Sequence, residues 1–375
     1  MYIKLQATML NITHKSSLCG VEERVRNNTE VQSAAFAGVN FCHFKLERKM
    51  FHSSTQKKSW TFHNEAEVNK LRQENIQTFV EKHRGDLQDE NIRDHFLTFQ
   101  EERLLCRHYE HLLRDFCRKF EPPMPPTVMA TACTYLKRFY IHNTVMNYHP
   151  KWIMMTCVYL ACKVEEFNVS IMQFVANLQE NREKGTELIL NHELLLMQHL
   201  NFHLIVHNPF RPLEGFLIDI KTRVPAISDA EALRKSAEEF LLRSLATDIC
   251  LLFTPSQIAL AAILHSASKQ GANLDSYVTE ALVGKGNRDL LKQTVEQIKR
   301  IRYMVKHIDP LDAGKIQYLE EKLERCRNQE LNPESEIYRR KLEEKLQAEE
   351  DETFIKRQRI SEQSRAADEQ FLMSV

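Results

Sequence analysis

The sequence predicts an all-α protein, and three of its features support this prediction. Glycine is scarce, with 9 residues in 375, whereas average usage would give about 26. Apolar residues recur at three- and four-residue steps through most of the chain, as they do on the buried face of a helix. One helical pattern also returns further along the chain. These features predict two copies of one helical domain, flanked by N- and C-terminal helices.

The amino-terminal part divides into two segments. Residues 1–49 are polar and lack sustained periodicity, and a second methionine, Met50, follows them. This composition indicates a disordered extension or an upstream start. In the segment 50–97, apolar residues at helical spacing predict an amphipathic helix from Asn64 to Lys82, with Asn64 as its N-cap.

Residues 98–206 are predicted to form a first domain of five helices. The third of these begins at Pro150 and has no charged residue between Lys151 and Lys163. Because it has no strongly polar face, we expect it to lie at the centre of the domain. The approximate bounds of the other four are 99–120, 127–140, 171–178 and 187–200.

Residues 207–308 are predicted to form a second domain of the same kind. A shift of 105 residues places Pro255 on Pro150, and the nine residues from Ala259 again contain no Asp, Glu, Lys or Arg. Amphipathic segments flank this match on both sides. Residues 309–328 then predict one more helix, and the mixed-charge residues 329–375 predict a disordered tail.

Composition and motifs argue against several classes of protein. The chain has 51 lysine and arginine residues and 51 aspartate and glutamate residues. Its net charge therefore produces no long-range electrostatic attraction to nucleic acid or to a membrane. The nine cysteines form no C-x-x-C pair and resemble reduced core residues. Signatures such as G-x-S-x-G, H-E-x-x-H and the P-loop do not occur in the chain. We therefore expect a soluble intracellular binding protein without a catalytic centre, cofactor or metal.

Two weaker motifs have simple structural interpretations. His199, His203 and His207 have metal-like spacing, but they share a face only if the helix continues through all three. Asn201 predicts that it stops earlier. Gly284 and Gly286 flank a lysine, yet no strand precedes them, so a turn is the simpler interpretation.

Lys163 and Glu193 are the charges that the pattern cannot place on a solvated face. Each has apolar neighbours one turn away along its helix, and a lone buried charge is costly unless something pairs with it. One interpretation is an internal salt bridge or exposure at a helix end. The other is that both lie at the edge of an apolar groove and contact a docked protein.

Three stretches of the chain resemble the transcriptional branch of the cyclin family. They are residues 131–140 (TACTYLKRFY), residues 160–170 (LACKVEEFNVS) and residues 200–212 (LNFHLIVHNPFRP), and the likeness extends from about Met50 to Arg325. The resemblance implies two five-helix cyclin boxes and makes Lys163 and Glu193 a kinase-contacting pair. It also implies a groove that receives a helix of the kinase, with these apolar contacts: Leu160, Val164, Leu196, Phe202 and Leu204.

The resemblance also implies partners and a location. They are a cyclin-dependent kinase of the CDK-activating complex, a RING-finger assembly factor and the core of general transcription factor H, in the nucleus. Lys356, Arg357 and Arg359 fit a nuclear address, or simply a solvated charge run. No membrane and no direct nucleic-acid contact are expected.

The chain differs from cell-cycle cyclins in two features, and two other classes of protein are alternatives to this expectation. Cell-cycle cyclins carry an aspartate where this chain has Lys137, and their Met-Arg-Ala-Ile-Leu docking motif does not occur near residues 105–113. Substrate recruitment by that motif is therefore not expected. The rivals are another transcriptional cyclin and a DNA-binding protein of the transcription factor IIB type, which should show a zinc ribbon and basic faces.

Overall fold

The computed structural model describes residues 51–85, 94–178, 182–224, 227, 229–284, 287–348, 350, 352 and 355–357. Every regular element in these ranges is helical, which confirms the predicted fold class. No helix in them is long and apolar enough to span a membrane. The expectation for residues 1–49 lies outside the described residues.

The helices that the sequence predicts occur in the predicted order, together with short elements that it did not predict. Two precede the first domain: α1 Thr55–Ser59 and α2 Glu65–His83. The first domain contains α3 Phe99–Lys119, α4 Pro126–His142, α5 Pro150–Val164, α6 Ile171–Ala176 and α7 Arg182–His199. The second contains α8 Phe210–Arg223, α9 Ala232–Ser244, α10 Ile249–Leu252, α11 Pro255–Gln270, a π-helical turn Tyr277–Leu282 and α12 Arg288–Lys306, and α13 Ala313–Cys326 follows.

Local sequence sets the starts of several helices. Asn64 caps α2 as predicted, because its side chain accepts the backbone N–H of Glu67. Thr98 and Glu101 form a reciprocal capping box at the start of α3. Pro150 and Pro255 each occupy the first turn of their helix, where a missing N–H costs nothing. The 105-residue match therefore relates two real helices, α5 and α11.

Helix α5 lies at the centre of the first domain, as its composition predicts. It packs against α3, α4 and α7, and most of its side chains, from Trp152 to Cys162, are buried. Helix α4 is buried almost along its entire length, which its sequence did not indicate, because it contains Lys137 and Arg138. Both of these cations lie in the interior.

A buried cluster of charges joins the two domains. We call it the junction cluster, and it consists of Arg72, Arg103, Glu110, Lys137 and Asp248. The carboxylate of Asp248, from the second domain, accepts hydrogen bonds from Arg72 at 2.7 Å and from Arg103 at 3.0 Å. The Lys137 Nζ lies 2.6 Å from Glu110 and 3.8 Å from Asp248. These cations hold the pKa of Asp248 well below its usual value despite its burial.

The segment around α1 contacts both domains and links them. The indole N–H of the buried Trp60 donates to His203 Nδ1 at 3.1 Å, and the Arg138 guanidinium lies 5.1 Å from the centre of the indole ring. Gln56 pairs with the backbone N–H and C=O of His207 in the interdomain connector. The backbone of Phe62 donates to Leu251 O in the second domain at 2.8 Å. Sequence reasoning did not predict these contacts of Gln56, Trp60 and Phe62.

The carboxyl-terminal tail differs from its prediction. Asn328 donates its backbone N–H to Met146 O at 2.8 Å, and Asn332 is buried. Residues 336–348 are helical. The expectation of a disordered tail from residue 329 did not include these contacts; residues 339–348 are all exposed to water, so for that part it stays a prediction. Arg359 lies outside the described residues.

Candidate functional site

Lys163 and Glu193 meet across the gap between α5 and α7. Lys163 Nζ lies 2.5 Å from Glu193 Oε1. The Lys163 side chain is 35% exposed, whereas the Glu193 side chain is 8% exposed. The structure thus bears out an internal salt bridge, and it places this bridge at the edge of the domain, where solvent reaches the cation.

Tyr159 completes the charged end of the groove. It precedes Lys163 by one helical turn, and the Lys163 Nζ lies 4.5 Å from the centre of the Tyr159 ring, which is a cation–π distance. Burial, and secondarily the charge of Glu193, raises the pKa of Tyr159. The ring and the carboxylate therefore hold the ammonium in place while part of it faces outward.

The five apolar residues assigned to the groove separate into a floor and a rim. Leu160 and Leu196 are buried in the core of the first domain, so little of their surface is available to a partner in the unbound chain, and their contact with a kinase stays a prediction. They support the groove from beneath, because their side chains point inward from α5 and α7. Val164 and Leu204 are partly buried against the same core, and their remaining surface is available at the rim.

Phe202 is the outlying apolar residue of the rim. It is 52% exposed, and its backbone has a φ of 56°, next to Asn201 with 52°. Asparagine tolerates this left-handed conformation, but it strains a bulky residue. The strain persists because the N–H of Phe202 donates to Met197 O at 2.9 Å. An exposed aromatic ring on a strained backbone is a common feature of binding sites.

Sequence reasoning missed further exposed apolar residues of this region. Leu190 and Leu194 lie four residues apart on α7 and are both exposed. Ile205, in the connector after Phe202, is exposed as well. The i, i+4 spacing of Leu190 and Leu194 could have indicated a shared outer face, but the leucine-rich pattern of α7 also fits an inner one.

The histidine spacing has a structural explanation. Helix α7 ends at His199, as Asn201 predicts, so the three histidines do not share a helical face. His199 contacts Asn143, His203 accepts the indole N–H, and the backbone of His207 bonds to Gln56. The described residues hold no group of three metal-binding side chains.

The proposed nuclear address is only partly described. Lys356 and Arg357 are exposed, and Lys356 lies 2.7 Å from Glu352. This geometry fits a solvated helix and equally an accessible basic motif, so the nuclear address stays a prediction.

The chemistry of the groove residues suits the binding of a helix. The apolar rim of the groove suits the apolar stripe of an amphipathic helix. Lys163 retains donor capacity toward a carbonyl group, and Glu193 can accept an N–H, so the pair can orient a docked backbone.

Comparisons with known proteins agree with this architecture. The cyclin N-terminal domain matches residues 64–205, and the cyclin C-terminal domain matches residues 208–306. Cyclin-H of Xenopus laevis is 45% identical over 325 residues, which cover 86% of this chain and 99% of that protein. Cyclin-H1-1 of Arabidopsis thaliana is 32% identical over 64% of this chain and 71% of its own length.

A solved structure shares the fold and part of the sequence. A chain in the structure of the CAK complex from Chaetomium thermophilum bound to ATP-gamma-S is 27% identical, with a TM-score of 0.65. The match covers 80% of this chain and 96% of that chain. Together, the paired helical domains, the charged groove and these similarities show that the chain belongs to the cyclin family, within its cyclin-H group.

Proposed function

We propose that this chain is the regulatory subunit that binds and activates a cyclin-dependent kinase in the CDK-activating complex and in general transcription factor H. The observation that carries the proposal is the Lys163–Glu193 bridge at the edge of an apolar rim. The similarity to a chain of a CAK complex supports the assignment of the partner. The activity of the complex is phosphorylation of kinase activation loops and of the RNA polymerase II tail.

Activation follows from selective binding. A kinase exchanges between a state in which its regulatory helix is rotated outward and one in which that helix faces inward, with its lysine and glutamate paired. The rim residues Val164, Phe202 and Leu204 contact the apolar stripe of this helix. Lys163 and Glu193 bind its backbone. Because the contacts form only with the inward state, binding energy shifts the kinase population toward activity.

The proposal includes further partners and a location. A RING-finger assembly factor and the core of transcription factor H complete the assembly, which acts in the nucleus. Direct binding of nucleic acid or membrane is not part of the proposal, since the chain has equal numbers of acidic and basic residues.

The test is a reconstituted kinase assay with a paired substitution. Replacing Lys163 alone would leave the buried Glu193 without its partner and would destabilise the domain. The double variant Lys163→Ala, Glu193→Ala removes both charges together. We expect it to lose kinase activation by at least tenfold while its helical content and thermal unfolding stay nearly unchanged.

A matched control is the double variant Lys269→Ala, Glu239→Ala, which removes an exposed ion pair of 4.0 Å from the second domain. It should activate the kinase like the wild type. Unfolding of the groove variant, or equal activity of both variants, would contradict the proposed contact. A pull-down from nuclear extract with mass spectrometry then identifies kinase and assembly factor together.

A further inference from the structure

A polar cleft lies on the side of the first domain where the terminal segments meet. It forms between the end of α2, residues 95–96 and residues 325–330, is open to solvent, and has a volume of about 430 Å³. We call it the terminal cleft and define it by these residues together with Lys82 and His83. Its volume lies in the range of pockets that bind small-molecule ligands. The residues assigned to the kinase-binding groove do not line it.

Among its described lining residues, the terminal cleft has more basic than acidic side chains. Lys82, Arg325 and Arg327 line it, together with two histidines. The single carboxylate among the described lining residues belongs to Glu330, and Lys341 outside the cleft binds it at 2.7 Å. Lys341 thus binds Glu330 from outside the cleft, although the charge of Glu330 also acts on Lys82.

Arg327 is the most informative of these cations. It is 6% exposed, and its Nε atom has no hydrogen-bond partner among the described residues. Its Nη1 atom lies 3.4 Å from Glu324 and 4.0 Å from Glu334. Buried guanidinium groups normally satisfy their donors; because the Nε atom of Arg327 has almost no exposed surface, Arg327 contributes to the cleft through its charge and not through this donor.

The two carboxylates beside Arg327 do not cancel the field of the cleft. Glu324 also binds His149 Nε2 at 3.2 Å, and Glu334 also binds Lys184. Each acid therefore has a second polar partner besides Arg327. The positive charges of Lys82 and Arg325 are available to an anion that enters the cleft.

The cleft is held in a fixed shape. The Asn328 side chain donates to Asn147 Oδ1 at 3.0 Å, in addition to its backbone bond to Met146. On the opposite side, His83 stacks on Phe79 with ring centres 4.2 Å apart and contacts the Phe79 carbonyl at 2.9 Å. A site whose groups are already ordered loses little entropy when a ligand binds.

We propose that the terminal cleft binds a phosphoryl group. Arginine forms strong paired hydrogen bonds to phosphate, and lysine adds a point charge. The volume of the cleft exceeds what one phosphate ion fills, which favours a phosphorylated side chain on a peptide as the source. Free phosphate is the other source of the same chemistry, and the experiment distinguishes the two.

The test measures peptide capture by the full chain. The probes are a heptapeptide library with a central phosphoserine, its serine twin, and inorganic phosphate as competitor. We expect at least tenfold enrichment of the phosphorylated library. Competition by inorganic phosphate only at a large excess supports a peptide source, whereas competition at equal concentration supports free phosphate.

Two variants decide whether the cleft is responsible. Lys82→Gln with Arg325→Gln removes two exposed cleft cations and should reduce capture at least tenfold without unfolding the chain. Lys292→Gln with Lys299→Gln removes two exposed cations of α12 and should leave capture unchanged. An equal loss of peptide capture in both variants would mean that any surface cation attracts the phosphopeptides, and it would overturn the proposal. Equal capture of the serine and phosphoserine libraries would overturn it as well.

Discussion

The strongest stability prediction concerns Asp248, because one carboxylate serves three cations of the junction cluster. Arg72, Arg103 and Lys137 lie 2.7, 3.0 and 3.8 Å from it, and Arg72 and Lys137 are almost fully buried. Asp248→Asn preserves the shape of the side chain and one acceptor but removes the charge. Among the described residues, the cations then interact with the carboxyl groups of Glu110 and Glu102 alone.

The magnitude follows from burial. Removing one partner of a buried ion pair costs about 3–5 kcal/mol, because the remaining charge stays desolvated. Since asparagine keeps an acceptor, we expect a loss of about 3 kcal/mol in the free energy of unfolding, which is more than a hundredfold in the equilibrium constant. Because the cluster joins the domains, we also expect their unfolding transitions to separate.

Glu214→Gln is the matched control for this experiment. Glu214 also accepts two hydrogen bonds from one arginine, Arg234, but it is exposed to solvent. Surface pairs contribute about 0–1 kcal/mol, so this variant should unfold nearly like the wild type in urea. Equal losses in Asp248→Asn and Glu214→Gln would refute the argument that burial gives the cluster its importance.

Three further predictions follow from single residues. Burial raises the pKa of Glu102 to about 7 from 4.5, so its contribution to stability is complete below pH 4.5 and is lost as the pH rises through 7. Glu102→Gln should therefore gain about 3 kcal/mol relative to the wild type between pH 4.5 and 8 in urea unfolding, and a constant difference would contradict this. Trp60→Ala removes a buried indole and should cost about 3–5 kcal/mol and expose residues 51–62 to protease, whereas intact protection would show that Trp60 does not fasten the segment. Phe202→Asn relieves the left-handed strain, so stability should stay equal or rise while kinase affinity falls, and unchanged affinity in a binding assay would remove Phe202 from the rim.

Regular periodicity made most of the fold predictable. The helices from Asn64 onward have the residue steps, caps and proline stops that local sequence determines. The match of α5 with α11 was visible because both helices are buried over most of their length and have a long uncharged run there. Helix α1 was not predicted, since five residues are too few for a periodic pattern.

Contacts between residues that are far apart in the sequence could not be predicted from local patterns. Lys137 appeared as a departure from cell-cycle cyclins, and its partners belong to α3 and to the second domain, which no local pattern connects. Lys163 and Glu193 were expected to need partners, and the structure pairs them with each other. Apolar spacing identified Leu160 and Leu196 but could not separate the floor of the groove from its rim, since both lie on the same helical stripes as core residues.

The central claim is that the kinase occupies the groove of the first domain, and photo-cross-linking tests it most directly. Phe202 and Ile218 are similarly exposed, at 52% and 51%, in the first-domain groove and on α8 of the second domain. A benzophenone amino acid is introduced at either position in the assembled complex. We predict covalent capture of the kinase from position 202 and none from position 218, and capture from position 218 alone would contradict the account.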